Sequence, residues 1–352
     1  MSNPIRVGIR GAAGLLGGRI AQALAKSSDM KATIGVVIPD RSLQSMADRQ
    51  GFLPEWRAQL PEEIFVHVPR HVGREADMVS KLNLRHDFGF KGFSQLSWRK
   101  NCDVIIDTAY PNGKDSVEDQ YLNFPGHILL QDGATPEGRL IVPPLMGPEI
   151  FGERKYRMGD CILSGLIPQI YPFRNIAKKI RVSMLTQYNG RDSDYTIEER
   201  VNAVYVRDDL REKVEQDLKA LFSEQEVEIE EVIQVPSLLH YKSTIYLELR
   251  REMSADEIRI ALAEMPHVRV LPENVSSTYD INLARSTSAS LPPITVFGGC
   301  IQVRDCSVRI VSALYYRQVA VLPNIDAVRI LGRGMDPLEA MRQTDKEMGF
   351  IS

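Results

Sequence analysis

The chain has 352 residues, of which 25% are charged and 43% are hydrophobic, and its formal net charge is −3. This length predicts two domains of ordinary size, and the composition is that of a soluble globular protein. The small net charge gives no electrostatic reason to expect a nucleic acid or an anionic membrane as partner. Arginines interrupt the apolar runs near the N-terminus, and the longest uncharged stretch, 286–303, contains two prolines. Neither a signal peptide nor a transmembrane helix is therefore expected.

The four cysteines do not form a disulfide framework in a chain of this length, and none has the C-x-x-C spacing of a zinc site. No metal site is predicted, and a reducing, cytoplasmic setting fits best. Cys102, Cys300 and Cys306 lie in or beside predicted strands, which favours structural roles for these three.

A strand, a glycine turn and a helix open the chain. Ile5–Ile9 alternates as a short strand, and the spacing G-x-x-G-x-x-G follows, from Gly11 to Gly17, before apolar residues recur at helical intervals. Glycines here let the backbone approach a dinucleotide pyrophosphate, which the helix N-terminus then binds. A tight structural turn is the alternative, but a place directly between strand and helix favours cofactor binding. The predicted cofactor contacts in the turn are Gly11, Ala12, Ala13, Gly14, Leu15 and Leu16.

The second strand, Ala32–Ile38, completes a βαβ unit and ends beside two residues that bear on the choice of cofactor. Asp40 could accept a hydrogen bond from an adenosine ribose hydroxyl, which favours NAD, whereas Arg41 could pair with a 2′-phosphate, which favours NADP. Either residue could instead belong to a capped loop, so the choice stays open. Residues 42–100 are assigned only to the same domain.

The segment 103–173 carries the candidate nucleophile. A strand beginning at Val104 ends in a turn, a short β-run spans Ile128–Leu130, and Cys161 opens a predicted helix. The helix dipole favours a thiolate at this position, and the thiolate is the nucleophilic form. A cysteine among Ile, Leu and Gly is equally typical of a small core residue, so both interpretations are kept.

The pattern changes after Cys161. Strands are predicted over 180–187, 227–235, 243–250, 294–297, 301–303 and 308–314. Helices are predicted over 198–223 and 255–265, with Ser254 as an N-cap of the second, and the tail over 325–348 is predicted to be helical. Long strands with helices between them predict a mainly antiparallel sheet covered on one face by helices. The predicted fold class is α/β, with an N-terminal Rossmann dinucleotide-binding domain (1–140 with 320–352) and an α+β catalytic domain (141–319).

Five segments, in order along the chain, carry a resemblance to a known family. They are Asp103–Ala109 against D-V-V-V-D-A-T, Asp160–Leu166 against S-C-N-T-T-G-L, Val235–His240 against V-P-T-T-L-M-H with a one-residue gap, Val321–Arg329 against V-P-E-N-I-D-A-I-R, and Thr344–Gly349 against the family's C-terminal end. The chain thus resembles the type II, archaeal-type branch of glyceraldehyde-3-phosphate dehydrogenases, within the superfamily that includes aspartate-semialdehyde dehydrogenase. Residues 42–100 match poorly.

The resemblance implies a phosphorylating, NAD(P)-dependent aldehyde dehydrogenase that works through a cysteine thioester. Cys161 would attack the aldehyde carbon, and His240 would take the hydroxyl proton as hydride leaves for NAD or NADP. Phosphate or water would then release the acid. Thr108, Ala109 and Asn324 would lie at the cofactor, Asn324 close to the nicotinamide amide.

The resemblance also implies that the helix beginning at Ile325 returns to the nucleotide domain. The family relation further implies a homo-oligomer, a tetramer or a dimer.

Departures from the family pattern bear on the substrate. Ile162 replaces the asparagine that follows the family's cysteine, and the pair of adjacent arginines near the substrate phosphate is missing. Arg191 or Lys242 could bind a phosphate or carboxylate instead, although both are more typical of solvated surface charges. His240 could likewise make only a structural hydrogen bond. The expected substrate is a small anionic aldehyde, with glyceraldehyde 3-phosphate as the default.

Two other functions stay open. The G-x-x-G-x-x-G spacing favours a semialdehyde dehydrogenase that acts reductively on an acyl phosphate. The loss of the asparagine at Ile162 suggests, alternatively, a catalytically silent homologue that binds the cofactor.

Overall fold

The computed structural model describes residues 3–12, 15–37, 63–66, 91–92, 98, 101–108, 121, 123–131, 138–187, 204–235, 240–272 and 291–350. The chain divides into two compact units. The first comprises Met1–Ile141, Met146–Asp160 and Val321–Asp336, and the second comprises Val142–Leu145, Cys161–Ala320 and Pro337–Ser352. Apart from shifts of one residue at 141 and 320, these units differ from the predicted domains in two segments: 146–160 is grouped with the first unit and 337–352 with the second.

The first unit is built on a parallel sheet. Its strands are β1 (Ile5–Arg10), β2 (Met30–Val37), β3 (Glu63–Val66), β4 (Lys91–Gly92), β5 (Val104–Asp107), β6 (His127–Leu130), β7 (Arg139–Ile141) and β8 (Lys155–Met158), and helix α1 (Leu15–Lys26) joins β1 to β2. They lie in the order β4-β3-β2-β1-β5-β6-β8-β7. The chain moves outward from β1 to one side and resumes at β5 on the other, so the strand order reverses between β1 and β5. This is the predicted Rossmann arrangement, and the strands from residues 42–100 belong to the same sheet.

A buried tryptophan packs against the centre of this sheet. An ideal Cβ atom on Gly8 of β1 would lie only 2.4 Å from the ring of Trp98, so a larger residue there would displace the indole. Cys102 belongs to the same apolar cluster, and its thiol donates to the Trp98 carbonyl at 3.1 Å. Burial raises the pKa of the Cys102 thiol far above its usual value, which keeps it unreactive. Cys102 is structural, as its strand position predicts.

The second unit holds a mixed sheet. Its strands are β9 (Ala177–Gln187), β10 (Tyr205–Val206), β11 (Glu226–Val235), β12 (His240–Leu249), β13 (Val268–Leu271), β14 (Ile294–Phe297), β15 (Gln302–Arg304) and β16 (Ser307–Tyr315). They lie in the order β10-β11-β9-β12-β16-β14-β13, and β15 also pairs with β16. Among the described strands every pairing is antiparallel except β9 with β11 and β13 with β14, which confirms the mainly antiparallel sheet.

The long helix predicted over 198–223 is wrong in its described first part. Helix α3 spans Asp208–Leu221, and Tyr205–Val206 before it forms strand β10 at the sheet edge. Val204, expected on the apolar face of the helix, is 66% exposed. The β-branched valines suit an edge strand that pairs with β11, and this long-range pairing overrides the helical spacing.

A capping box begins the next helix, α4 (Ala255–Ala263), as the sequence predicts. The Ser254 hydroxyl accepts a hydrogen bond from the Glu257 backbone N–H at 3.2 Å, and the Glu257 carboxylate accepts from the Ser254 N–H at 2.7 Å. Two of the helix's free N–H groups are thereby satisfied. The helix ends two residues before the predicted Met265.

The C-terminal tail is helical, as predicted, and consists of two helices. These are α5 (Tyr316–Arg333) and α6 (Pro337–Met348). The predicted start at Ile325 is therefore wrong, because strand β16 runs directly into α5. Gly334 ends α5 in the left-handed conformation, with φ of 64°, and Pro337 opens α6. The remaining α-helix of the described residues, α2, spans Cys161–Ile170 and precedes β9 in the chain.

The segment Val321–Asp336, which includes most of α5, belongs to the first unit. There the fully buried Arg329 pairs with Asp29 through two guanidinium nitrogens, at 3.1 and 3.2 Å. None of the helices in the described part of the chain combines the length and apolar character that a membrane-spanning segment needs.

Candidate functional site

The carboxyl ends of β1, β5 and β6 align at one edge of the first sheet. Strand register pairs Arg10 with Asp107, and Asp107 with Leu130, so the three strands finish at one level. The backbone of Gly11, directly after β1, has φ of 80°, a conformation that favours glycine. Thr108, directly after β5, donates its hydroxyl to the Arg10 carbonyl at 2.9 Å. Gly11 and Thr108 thus flank the point where the strand order reverses, the usual ligand position in such sheets.

Helix α1 approaches this turn so closely that Gly17 must be a glycine. An ideal Cβ atom on Gly17 would lie 2.2 Å from the Gly11 carbonyl oxygen and 2.9 Å from Thr108 Oγ1. The nearer of these atoms belongs to the backbone of the turn, so rotation of a side chain cannot relieve that overlap. The glycine spacing therefore has a packing role at Gly17, with the helix N-terminus held against the end of β1.

A buried ion pair lies beneath the turn. Arg10 and Asp107, the last residues of β1 and β5, are 6% and 4% exposed and meet at 2.9 Å. Tyr121 donates its hydroxyl to the Asp107 carboxylate at 2.7 Å. Burial, and then the Asp107 charge, raise the pKa of the Tyr121 phenol well above its usual value. Burial alone would lower the Arg10 pKa, but the Asp107 carboxylate outweighs it and the pKa is raised. Arg10 is therefore fixed as a cation next to the proposed cofactor turn.

Asn324 of α5, expected at the nicotinamide, pairs with Gln131 at the end of β6. The Gln131 amide donates to Asn324 Oδ1, and the Asn324 amide donates back to Gln131 Oε1 at 3.3 Å. Asn324 is 1% exposed. The pair fixes the position of α5 against the same sheet edge that carries Gly11 and Thr108.

The other predicted cofactor residues fall into two groups. Ala12 is 2% exposed, Leu16 is half-buried in α1, and Leu15 is the first residue of that helix. Ala13, Gly14, Asp40, Arg41 and Ala109 lie outside the described residues. The described part of the turn fits a dinucleotide, since its left-handed glycine and the close approach of a helix are what a pyrophosphate requires. Within the described ranges, no three His, Cys, Asp or Glu side chains are grouped to hold a metal ion.

Cys161 is the first residue of helix α2, and it is half-buried whereas the rest of the helix is buried. Helix and sheet are in close contact, because an ideal Cβ atom on Gly165 would lie 2.5 Å from Leu314 Cδ1 of β16. Ile162, which stands where the family has asparagine, is 2% exposed and belongs to the apolar core of this helix. The Cys161 thiol lies beside β12, where its Sγ atom is 3.4 Å from Tyr241 Oη.

His240 and Lys242 leave β12 on the opposite face from Tyr241, because side chains alternate along a strand. His240 is paired in register with Tyr315, and their ring centroids are 5.7 Å apart. Lys242 is exposed and donates to Thr244 Oγ1 at 2.9 Å. The structure thus brings Tyr241 to the Cys161 thiol, and it places the predicted base and the predicted anion-binding lysine together on the other face. Arg191 lies outside the described residues.

Sequence reasoning missed Tyr241, Gln131 and the pair Arg10–Asp107. The pair has a sequence signal, since opposite charges end two otherwise apolar strands that are neighbours in the sheet. Tyr241 also has one, because an ungapped match of V-P-T-T-L-M-H to the segment starting at Val235 sets Tyr241 against the family's histidine. No sequence pattern points to Gln131, because its partner Asn324 is remote in the chain.

Comparisons of sequence and of fold relate the chain to known dehydrogenases. The chain is 22% identical to the glyceraldehyde-3-phosphate dehydrogenase of Saccharolobus solfataricus, with 96% of each chain covered, and 23% identical to that of Methanobacterium bryantii, with 98% and 99% covered. Its fold is similar to that of aspartate semialdehyde dehydrogenase II from Vibrio cholerae, with a TM-score of 0.59, 11% identity and 98% of each chain covered. No protein-family model matches the chain. These likenesses support the superfamily and no single family within it.

Proposed function

We propose that this chain is a nicotinamide-dependent oxidoreductase that oxidises a small aldehyde through a thioester on Cys161. The observation that carries the proposal is the place of the thiol, at the first position of α2 and 3.4 Å from the Tyr241 hydroxyl. A helix N-terminus and a neighbouring hydrogen-bond donor both favour the nucleophilic thiolate. The relatives named above are dehydrogenases, which supports the same class of reaction.

The first unit supplies the features that suit the cofactor. Gly11 ends β1 in a left-handed conformation and Gly17 allows α1 to approach it, as a bound pyrophosphate requires. When bound, the nicotinamide accepts a hydride from the substrate carbon. NAD and NADP are both compatible with the described residues, because Asp40 and Arg41 lie outside them.

The chain's own part in the reaction begins at the thiolate. Cys161 Sγ forms a bond to the aldehyde carbon, and the electron pair of the C=O bond moves to the oxygen, which takes a proton to give a hemithioacetal. Loss of hydride and proton leaves a thioester. Phosphate or water then cleaves that thioester, releasing an acyl phosphate or an acid and restoring the thiolate.

Glyceraldehyde 3-phosphate is the first substrate to test, because both curated relatives are named for it. The anionic group would need a cation near Cys161. Lys242 occupies the other face of β12, so it does not contribute to this part of the proposal. The charge preference is therefore to be measured with neutral and anionic aldehydes of equal length.

A second candidate is a semialdehyde dehydrogenase that acts reductively on an acyl phosphate. The full-length similarity in fold to aspartate semialdehyde dehydrogenase and the G-x-x-G-x-x-G spacing favour it. It uses the same thioester in the opposite direction, so the same residues serve both candidates. A homo-oligomer is proposed for either, with light scattering as its measurement.

The test is the absorbance of reduced nicotinamide, followed with NAD+ and with NADP+ over a panel of aldehydes, with and without phosphate. Acyl phosphates with reduced cofactor test the opposite direction. Cys161→Ala is expected to abolish turnover, whereas Cys300→Ala, which changes an exposed cysteine, is expected to keep it. No turnover in either direction, together with alkylation of Cys161 no faster than of Cys300, would favour the silent homologue.

A further inference from the structure

The phenol of Tyr241 is held beside the proposed nucleophile by a second tyrosine. Its Oη atom lies 3.4 Å from Cys161 Sγ, within hydrogen-bonding range for sulfur. Its ring stacks on Tyr316, with the ring centroids 6.3 Å apart and the planes 28° apart. Arg317 donates from Nε to the Tyr316 hydroxyl at 3.0 Å. Stacking of this kind fixes the direction in which the Tyr241 hydroxyl points.

Strand geometry decides which residues of β12 share a face with Tyr241. Ser243, Ile245 and Leu247 alternate with it and are at most 2% exposed, so they lie on the face that packs into the core. Tyr241 is paired in register with Leu314, the residue that contacts α2 at Gly165. The face of Tyr241 is therefore the face covered by α2, at whose first residue the thiol lies. His240 belongs to the other face.

We propose that Tyr241, and not His240, is the acid–base residue that serves Cys161. This inference rests on the proposed function and names the residue that handles the proton. As Cys161 Sγ bonds to the aldehyde carbon, the C=O electron pair moves to the oxygen. That oxygen takes the proton of the Tyr241 phenol and leaves a phenolate. The proton that the substrate oxygen gains is the one that the phenol loses, and the negative charge of the thiolate ends on the phenolate.

The same residue then acts in the reverse sense. When hydride leaves the substrate carbon, the hydroxyl proton returns to the Tyr241 phenolate and the C=O bond of the thioester forms. Tyr241 ends the cycle protonated, as it began. A tyrosine hydroxyl both donates and accepts, so one side chain can perform both transfers.

Steady-state kinetics provide the first test. Tyr241→Phe is expected to lower kcat by about a hundredfold or more, the usual contribution of a positioned acid–base group, while cofactor affinity stays unchanged. Tyr246→Phe is the matched control, because it removes the same hydroxyl from the other face of β12. Tyr241→His is expected to restore part of the rate and to shift its pH dependence toward the histidine value of about 6.5.

A second test needs no cofactor. Iodoacetamide alkylation of Cys161 is followed against pH, with and without the aldehyde that the wild type turns over. In Tyr241→Phe the alkylation profile is expected to move to higher pH, because the thiolate loses a hydrogen bond. Protection by the aldehyde is expected to weaken as well, because the adduct oxygen loses its proton donor.

The outcomes separate the two proposals. If the wild type turns over an aldehyde in a Cys161-dependent manner, while His240→Asn removes the activity and Tyr241→Phe retains it, the tyrosine assignment is overturned and the function stands. If no aldehyde or acyl phosphate is turned over or protects Cys161, the function and the assignment fail together. A kcat loss in Tyr241→Phe without any change in the alkylation profile or in aldehyde protection would show an indirect structural effect and overturn the assignment.

Discussion

Asn324 and Gln131 exchange two hydrogen bonds although 193 residues separate them in the chain. One amide belongs to helix α5 and the other follows β6, so the pair joins the C-terminal part of the first unit to its parallel sheet. The contact lies at the edge where β1, β5 and β6 end. Part of that edge is therefore held in place by a segment from the far end of the sequence.

Removal of one amide from this pair is expected to destabilise the protein. Asn324→Ala leaves the Gln131 side chain without its buried partner, at a cost of about 1–3 kcal/mol. Urea unfolding measures this loss, and the double variant with Gln131→Ala is expected to cost less than the sum of the single changes. Unchanged stability together with a large loss of cofactor affinity would instead assign Asn324 to the cofactor.

A methyl group at Gly17 is expected to disrupt the cofactor turn. The Cβ atom of Gly17→Ala would overlap the Gly11 carbonyl, 2.2 Å away, so α1 must shift, at a cost of about 1–3 kcal/mol typical of overpacking. Cofactor affinity is expected to fall at least about tenfold because phosphate groups bind at that helix end.

Gly152→Ala is the control for the Gly17 variant, since a Cβ atom there meets nothing within 4 Å. Fluorescence titration with NAD+ and NADP+ and urea unfolding measure both variants. An unchanged dissociation constant in Gly17→Ala would contradict the placement of the pyrophosphate at this turn.

Substitutions of Arg10 and Asp107, which form the buried ion pair, are expected to have strongly non-additive effects on the free energy of unfolding. Arg10→Met leaves the Asp107 carboxylate buried without its cation, which is expected to cost about 3–5 kcal/mol. Arg10→Met combined with Asp107→Leu is expected to recover much of that loss, because no unpaired charge remains. Urea unfolding gives the four free energies, and additive losses would show that the two residues act independently.

The protein is expected to become less stable in acid because of His127, at the start of β6. Burial, opposed by a hydrogen bond with the Glu153 backbone and assisted by the Arg154 charge, lowers the pKa of His127 below its usual value. The folded protein therefore favours the neutral ring. The stabilisation is present above the unfolded-state pKa of about 6.5 and is lost as pH falls through the lower folded-state pKa.

The measurement compares the wild type with His127→Gln by urea unfolding at about pH 7.5 and about pH 5.5, on either side of that value. The wild type is expected to lose more stability than the variant between the two conditions. Equal losses would mean that another group accounts for the acid sensitivity.

Local patterns in the sequence predict both sheets, because alternation and glycine turns are properties of short segments. They fail where a remote contact decides the structure. Tyr205–Val206 has helical neighbours in sequence but pairs with β11, and the start of α5 depends on where β16 stops. The identity of the residue facing Cys161 depends on strand register, which a one-residue gap in a motif comparison reverses.

The two-residue repeat of β12 makes the chemistry at Cys161 sensitive to chain length. Moving the strand along its own axis by one residue would present the imidazole of His240 to the thiol and turn the phenol of Tyr241 to the other side. One inserted or deleted residue just before His240 could therefore exchange these groups with no substitution in the strand. Descendants of one ancestral fold can in this way acquire different working pH ranges through a change in spacing alone.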